Sequence, residues 1–179
     1  MSRTWLSIRV ELVSGLADQF WPRPGRILAA SRTHTFEQLA NAIDDAFARW
    51  DRSHLWAFLW PDGTRIERLG LGDLEVGQDE ALDASSTRLS RLSPGERFLY
   101  EFDFGDSWMH VCTVGEERID PGETLGIVPA KPLPYWGWGA IPDQYGRRWE
   151  DDDGESDPRP DPGTNDLEDL LPPWGRSEE

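Results

Sequence analysis

Three acidic residues and one histidine lie within one short run of this sequence, residues 100–110, and a second histidine that could join them is His54. Carboxylates beside an imidazole can bind a cation or transfer a proton at neutral pH. The pattern therefore indicates a possible metal-dependent or acid–base enzyme. The candidate catalytic residues are Glu101, Asp103, Asp106, His110 and His54.

The same run has the pattern of a β-hairpin. Aromatic residues alternate with other residues up to a Gly-Asp turn at residues 105–106, and a second apolar strand follows. A two-residue turn places Glu101 opposite His110 and Asp103 opposite Trp108, so these four side chains share one outward face. The other face, which we expect to be buried, carries Phe98, Tyr100, Phe102 and Phe104.

Two interpretations of the outward face remain open. Its side chains form a catalytic or cation-binding cluster, which His54 joins from a neighbouring strand. Alternatively, a carboxylate opposite a histidine supports the hairpin by about 0.2–1 kcal/mol without any ligand, and Asp106 bonds its own backbone in the turn. Zinc requires about four N, S or O ligands, and the single cysteine, Cys112, supplies no useful thiol. We therefore expect no metal and no other cofactor.

A second candidate binding segment is the aromatic sequence Tyr-Trp-Gly-Trp-Gly at residues 135–139. Flat aromatic side chains on a flexible backbone can grip a proline-rich peptide or stack on rings. Alternatively, the segment wraps the domain and covers a sheet edge. The candidate binding residues are Trp108, Tyr135, Trp136 and Trp138.

The elements that position these residues indicate an α+β fold, with a mostly antiparallel sheet and one main amphipathic helix packed on a face. Apolar residues alternate with polar ones over residues 5–12, which predicts a strand. Thr35 and Gln38 have the spacing of a capping box, and apolar residues from Phe36 to Trp50 recur at helical steps. We expect that apolar stripe to lie on the sheet.

Other segments are predicted from turns and short apolar runs. Residues 15–25 form a loop before a short strand at 26–30, and strands at 55–59 and 64–68 flank a Pro-Asp-Gly turn. Residues 69–92 form a loop with a short helical turn, which Leu89 and Leu92 pin to the core. An irregular aromatic segment, residues 120–149, completes a domain of residues 1–149.

The charge is acidic and unevenly distributed. The net charge is −16, and residues 143–179 hold thirteen acids against four arginines. Residues 150–179 cannot bury enough apolar surface to offset chain entropy, so we expect an acidic, mostly disordered tail. Because phosphate backbones are bound by clusters of lysine and arginine, direct nucleic-acid binding is disfavoured, and Lys131 is the only lysine. The acidic balance is typical of a soluble protein.

The sequence also bears on location. The first twenty residues lack the basic start, apolar run and cleavage site of a signal peptide. No stretch reaches the roughly eighteen uncharged apolar residues of a membrane-spanning helix. A single cysteine is compatible with a reducing compartment. We therefore expect a cytoplasmic protein with no membrane contact.

The run from Tyr100 to His110, with its Asp-Phe-Gly-Asp-x-Trp-x-His core at residues 103–110, resembles the signature of the plasmid Ri Orf-three-like family. Proteins of this family are also described as TnpR-type passengers of insertion elements. The resemblance covers roughly residues 4–116. Matching positions upstream are Thr35, Phe36, Leu39, Ile43, Ala46, Phe47, Trp50, His54, Leu55, Trp56 and Phe58.

The resemblance implies an α+β fold with a helix on a mostly antiparallel sheet, and it implies no particular activity. Two departures concern a family metal site. Members often have a histidine where this chain has Ala40, and longer members carry a cysteine in the segment that corresponds to residues 134–139, which has none here.

Three hypotheses of function follow. The first is a non-enzymatic protein-interaction module of plasmid or mobile-element biology, which binds an unidentified protein partner through the hairpin face and the aromatic segment. The second is the metal-dependent or acid–base enzyme. The third is an acidic DNA mimic, which the charge run of residues 150–169 supports.

Overall fold

The computed structural model of the chain describes residues 5–69 and 81–146. A nine-stranded sheet dominates this part of the chain. The strands are β1 (Trp5–Gly15), β2 (Asp18–Gln19), β3 (Gly25–Ser31), β4 (Trp56–Leu59), β5 (Arg65–Glu67), β6 (Ala81–Asp83), β7 (Arg97–Phe102), β8 (Trp108–Val114) and β9 (Leu133–Trp138). The helices are α1 (Phe36–Ala46), α2 (Pro121–Leu125) and one 3₁₀ turn (Leu89–Arg91).

The strands follow the order β6-β5-β4-β7-β8-β1-β3-β9, and β2 pairs with β1. The sheet is mixed, because β5 and β6 run parallel. The α+β class fits this architecture, but the sequence-based prediction of a mostly antiparallel sheet missed the parallel pair. A parallel pair needs a long connection between its strands. The stretch that joins β5 to β6 lacks any clear apolar pattern, so β6 was predicted as loop.

The main helix begins as the sequence predicts. The Thr35 hydroxyl accepts a hydrogen bond from the Gln38 amide at 3.2 Å, and the Gln38 side chain accepts one from the Thr35 amide at 2.9 Å. Together they complete the capping box. The apolar stripe is buried against the sheet through Phe36, Leu39, Ala40, Ile43 and Phe47.

The predicted stripe extends one residue too far. Trp50 is exposed over 51% of its surface, whereas the helical spacing placed it in the core. The helix ends at Ala46, and Ala48 has a φ of 55°, which turns the chain out of its helical path before Trp50.

One face of the sheet carries the core and α1. On β1, the alternate side chains Leu6, Ile8, Val10 and Leu12 are buried in that core, as predicted. Ser7, Arg9 and Glu11 point to the opposite side, where they are partly or fully exposed. We call this side the outer face. The predicted anchors Leu89 and Leu92 are also buried in the core.

Besides the segment that contains β6, two further segments predicted as loop or irregular structure contain strands. Residues 15–25 include the end of β1 and β2, which pair as a short ribbon. The segment 120–149, predicted to be irregular, contains β9, which extends the sheet beyond β3. Pro134 lies within β9, which an edge strand tolerates because its outer amides need no partner strand. The predicted disordered tail, residues 150–179, lies outside the described residues.

Within the described ranges, neither helix combines the length and the apolar character that crossing a membrane requires.

Candidate functional site

The hairpin pairs its strands one residue away from the predicted register. Phe102 lies opposite Trp108, and Tyr100 lies opposite His110. The connection is a five-residue turn, residues 103–107, instead of the predicted Gly-Asp turn. A shift of one residue moves each side chain to the other face of a strand.

Asp103 explains the longer turn. Its carboxylate accepts hydrogen bonds from the amides of Gly105 at 3.0 Å and Asp106 at 3.3 Å. Asp103 and Ser107 have positive φ values of 60° and 51°, so neither continues a strand. Asp103 therefore closes the turn with its side chain, as aspartate commonly does.

This register corrects the predicted faces. Trp108 and His110, predicted to point outward, are buried in the core beside Tyr100 and Phe102. Phe104, predicted to be buried, lies in the turn and is 40% exposed.

The five candidate catalytic residues consequently do not converge. Glu101 follows buried Tyr100, so its side chain points to the outer face, where it accepts a bond from the Ser107 hydroxyl at 3.4 Å. Asp106 lies in the turn, and its carbonyl accepts a hydrogen bond from the Leu16 amide at 3.0 Å. His110 lies inside the core. The proposed acidic–imidazole cluster is therefore divided between two faces and a turn.

Two of the candidates do meet, together with two residues that the sequence analysis missed. His54 Nδ1 lies 3.3 Å from the Asp103 carboxylate. His54 Nε2 lies 3.4 Å from the Asp51 carboxylate and 2.7 Å from the Tyr145 hydroxyl. We call Asp51, His54, Asp103 and Tyr145 the surface cluster. The spacing of Asp51 and His54, three residues apart, was the only signal for it in the sequence.

The protonation states of Asp51 and Tyr145 indicate that the surface cluster stabilises the fold and does not transfer protons at neutral pH. Hydrogen bonds from Ser53 and Tyr145 hold the pKa of Asp51 well below its usual range. Partial burial and the bond to Asp51 raise the pKa of Tyr145 to about 12. At neutral pH the carboxylate is charged and the phenol keeps its proton. In residues 5–69 and 81–146, no three His, Cys, Asp or Glu side chains are placed to hold a metal ion.

A second polar group lies inside the core. The Tyr100 hydroxyl donates to the Asp44 carboxylate at 2.8 Å, and burial raises the pKa of Asp44 to about 7. The Arg49 guanidinium lies over the Trp108 ring, 3.9 Å from its centroid. His110 Nδ1 lies 3.0 Å from the Tyr100 carbonyl. We call Asp44, Arg49, Tyr100, Trp108 and His110 the buried polar cluster.

Asp44 and Arg49 are not among the residues predicted from the sequence. Asp44 lies four residues after Ala40 and therefore on the apolar stripe of α1. An acid on that stripe is the signal in the sequence for a buried carboxylate. Arg49 gave no such signal, because its position is set by the turn after α1.

The four candidate binding residues also do not form one group in the structure. Trp108 is in the core, whereas the other three belong to β9. The Tyr135 hydroxyl is 2.7 Å from the Ser7 hydroxyl on the outer face. Trp138 donates from its indole nitrogen to the Arg23 carbonyl at 2.9 Å and lies under the Arg9 guanidinium, 4.4 Å from the ring centroid. Trp136 is 55% exposed. We call Arg9, Tyr135, Trp136 and Trp138 the aromatic strip.

Comparison with known proteins is consistent with this geometry. The chain is similar to the crystal structure of a protein of unknown function from Methanosarcina mazei Go1, with a TM-score of 0.58 and 21% identity. That similarity covers 79% of this chain and 74% of the other, and it concerns the fold. No curated protein sequence matches this chain.

The family model described as plasmid pRiA4b ORF-3-like protein matches residues 6–130. The match includes the helix α1, the hairpin and the Asp-Phe-Gly-Asp-x-Trp-x-His core that the sequence analysis identified. It thus covers most of the part of the chain that the structure describes. The chain belongs to the plasmid pRiA4b ORF-3-like protein family.

Proposed function

We propose that this protein is a non-enzymatic interaction module that binds a protein partner through the aromatic strip. The observation that carries the proposal is Trp136, which is 55% exposed on the edge strand β9 although it is one of the largest apolar side chains. Its strand partner is Ile27, which places Trp136 on the outer face. Because Trp136 shares its strand with two further aromatic residues and lies on the same face as Arg9, its exposure supports a binding surface.

The strip has the composition of an interface centre. Tryptophan, tyrosine and arginine are the residue types that most often dominate binding energy at protein interfaces. Arg9 lies over Trp138, and the Tyr135 hydroxyl is hydrogen-bonded to Ser7, so these two aromatic rings are held on the sheet before a partner arrives. Because less side-chain freedom is then lost on association, this order favours binding.

The close approach of Gly25 supports the same interpretation. A Cβ atom built on Gly25 would lie 2.1 Å from the Trp138 ring. The Trp138 ring therefore packs directly on the backbone of β3, and the Arg9 guanidinium lies over the ring. These contacts fix the position of β9, and with it the backbone that carries Trp136, for a partner.

The geometry supports an enzyme less well. Of the five candidate catalytic residues, only His54 and Asp103 meet, and the cluster that they form holds an ionised Asp51 and a protonated Tyr145 at neutral pH. The acidic run that supports a DNA mimic lies outside the described residues. The family description adds the setting, and we propose that the partner belongs to plasmid or mobile-element biology.

Site-specific photocrosslinking tests the proposal. A benzophenone amino acid at position 136 of the full chain should capture one partner. The same group at position 55 should not, because Leu55 is 71% exposed but precedes β4, which lies far from β9 in the sheet. The captured protein is then purified, and its affinity for the unlabelled chain is measured by calorimetry.

Two matched serine variants complete the test. Trp136→Ser should weaken binding of the purified partner by at least about tenfold, as expected when a central interface tryptophan is removed. Leu55→Ser should leave the affinity unchanged. Equal binding by wild type and Trp136→Ser would reject the aromatic strip as the binding surface, and equal capture from positions 136 and 55 would do the same.

A further inference from the structure

The Arg49 guanidinium has an unusual environment. Arg49 is 1% exposed, and its Nε, Nη1 and Nη2 atoms are all buried. None of the three has a hydrogen-bond partner in the part of the chain that the structure describes. The guanidinium carbon lies over the Trp108 ring, 3.9 Å from its centroid, and this contact leaves all of its N–H groups without an oxygen or nitrogen acceptor among the described residues.

Two nitrogen atoms near Arg49 are also buried without a hydrogen-bond partner in the described part of the chain. They are Trp108 Nε1 and His110 Nε2. The Tyr100 carbonyl can only accept, so the hydrogen of the neutral His110 ring lies on Nδ1. Burial, and then the charge of Arg49, lower the pKa of His110 to about 3. His110 Nε2 is therefore an acceptor at neutral pH, whereas Arg49 and Trp108 are donors.

Among the described residues, the Arg49 guanidinium has acids near it but no direct hydrogen bond to any of them. Burial lowers the pKa of Arg49 to about 10, so its guanidinium keeps its charge at neutral pH. Two acids, Asp44 and Asp143, act on Arg49 electrostatically, but neither accepts a hydrogen bond from it. One Asp44 oxygen accepts a hydrogen bond from the Tyr100 hydroxyl, and the other lies 3.9 Å from Arg52. Because the pKa of Asp44 is raised to about 7, this acid is only partly ionised. Burying a cation without hydrogen bonds costs free energy of folding unless an anion or water accepts hydrogen bonds from it.

A short segment at the surface adjoins the site. We call residues 143–146 the latch. Gln144 is fully buried, and it accepts a bond from the Asp51 amide at 3.0 Å and donates to the Asp51 carbonyl at 2.9 Å. Asp143 accepts a bond from the Trp50 indole at 3.2 Å and also interacts electrostatically with Arg49. Tyr145 ties the latch to the surface cluster.

We propose that Arg49, Trp108 and His110 form a binding site for inorganic phosphate in its monohydrogen form, which enters when the latch opens. Monohydrogen phosphate has oxygens that accept from the guanidinium and the indole, and it has one O–H that donates to His110 Nε2. Sulfate presents the same tetrahedral oxygens without a proton at neutral pH, so it leaves His110 without a donor. The site therefore discriminates between two anions of similar shape.

Calorimetry and equilibrium dialysis with the full chain test this proposal at pH 7.5. Inorganic phosphate should bind saturably at one site per chain, and sulfate should bind at least about tenfold more weakly. Arg49→Met keeps the length of the side chain but removes its donors, and phosphate binding should be lost. Arg65→Met removes a half-exposed guanidinium on β5 and should bind phosphate as the wild type does.

Two further measurements keep the test decisive if Arg49→Met does not fold. Gln144→Ala removes the bonds that close the latch, so phosphate exchange measured by phosphorus NMR should become at least about threefold faster. His110 should show a phosphate-dependent shift of its Nε2 resonance in the wild type. No saturable phosphate binding at millimolar concentration, or equal affinity for phosphate and sulfate, overturns the proposal, and water alone then occupies the site.

Discussion

Tyr100 and His110 lie directly opposite each other in the β7–β8 ladder, and both side chains are buried. The His110 ring donates from Nδ1 to the Tyr100 carbonyl across a distance of 3.0 Å. This pair directs Trp108 into the core and leaves Glu101 on the outer face. The family signature thus contributes mainly to the turn and to the core of this fold.

The hairpin register predicts different costs for two nearby phenylalanines. Phe102→Ala should lower the free energy of unfolding by about 3–5 kcal/mol, because it removes a fully buried ring. Phe104→Ala should change it by less than about 1 kcal/mol, because Phe104 is in the turn and partly exposed. Urea unfolding of both variants measures the difference. Similar losses in the two variants would contradict the register.

Asp44 predicts a pH dependence of stability. Its pKa is raised from 3.8 to about 7 in the folded chain, so the native state binds its proton more tightly than the unfolded state does. The stabilising contribution of the protonated carboxyl is therefore complete below about pH 4 and is lost as the pH rises through about 7.

The variant Asp44→Asn isolates this effect, because the amide keeps an oxygen for the Tyr100 hydroxyl and does not titrate. Relative to wild type, Asp44→Asn should gain about 1–4 kcal/mol of unfolding free energy between pH 4 and pH 8, since one pKa unit corresponds to about 1.4 kcal/mol. The control is Asp45→Asn at the neighbouring, exposed carboxylate. If both variants follow the same curve, the burial of an ionisable Asp44 is excluded.

The contact between Gly25 and Trp138 predicts a steric effect. Gly25→Ala should destabilise the fold by about 1–3 kcal/mol, because the new methyl group would overlap a ring 2.1 Å away. Gly105→Ala is the control, because the nearest described neighbour of its added Cβ is the Asp103 carboxylate at 3.3 Å, a contact that a shift of a few tenths of an ångström relieves. Thermal unfolding distinguishes them, and a Gly25→Ala variant as stable as Gly105→Ala would mean that Trp138 does not pack on β3.

The latch predicts a local change in hydrogen exchange. Gln144→Ala leaves the Asp51 amide and carbonyl without their partner, which should cost about 1–3 kcal/mol. The Asp51 amide should then exchange much faster, whereas the Thr64 amide, which bonds Asp62, should be unaffected. Unchanged exchange at Asp51 would show that Gln144 does not hold this segment.

The sequence predicted those helices and strands that are specified by residues close together in the chain. The capping box at Thr35 and the alternation of β1 depend on neighbouring residues, and both were confirmed. The β9 strand was not predicted, because its pairing with β3 joins segments that are about a hundred residues apart in sequence. Short proline-containing edge strands carry little periodic signal.

The site was harder to predict than the fold. An aspartate before a Gly-Asp pair is compatible with both a two-residue and a five-residue turn, and the choice between them reverses the faces of the hairpin. The shorter turn, which the Gly-Asp pair predicts, places His110 opposite Glu101, whereas the longer turn places His110 opposite Tyr100. Tyr145 and Asp51 were missed, because only the folded chain brings residue 145 to His54.

The most direct test of the proposed function compares the aromatic strip with the surface cluster in one assay. The crosslinked partner, once purified, is titrated into Trp136→Ser and into His54→Gln, both at exposed or half-exposed positions. The interaction-module account predicts that Trp136→Ser loses at least about tenfold in affinity and that His54→Gln binds as tightly as wild type. Full affinity in Trp136→Ser, with binding lost in His54→Gln, would contradict it.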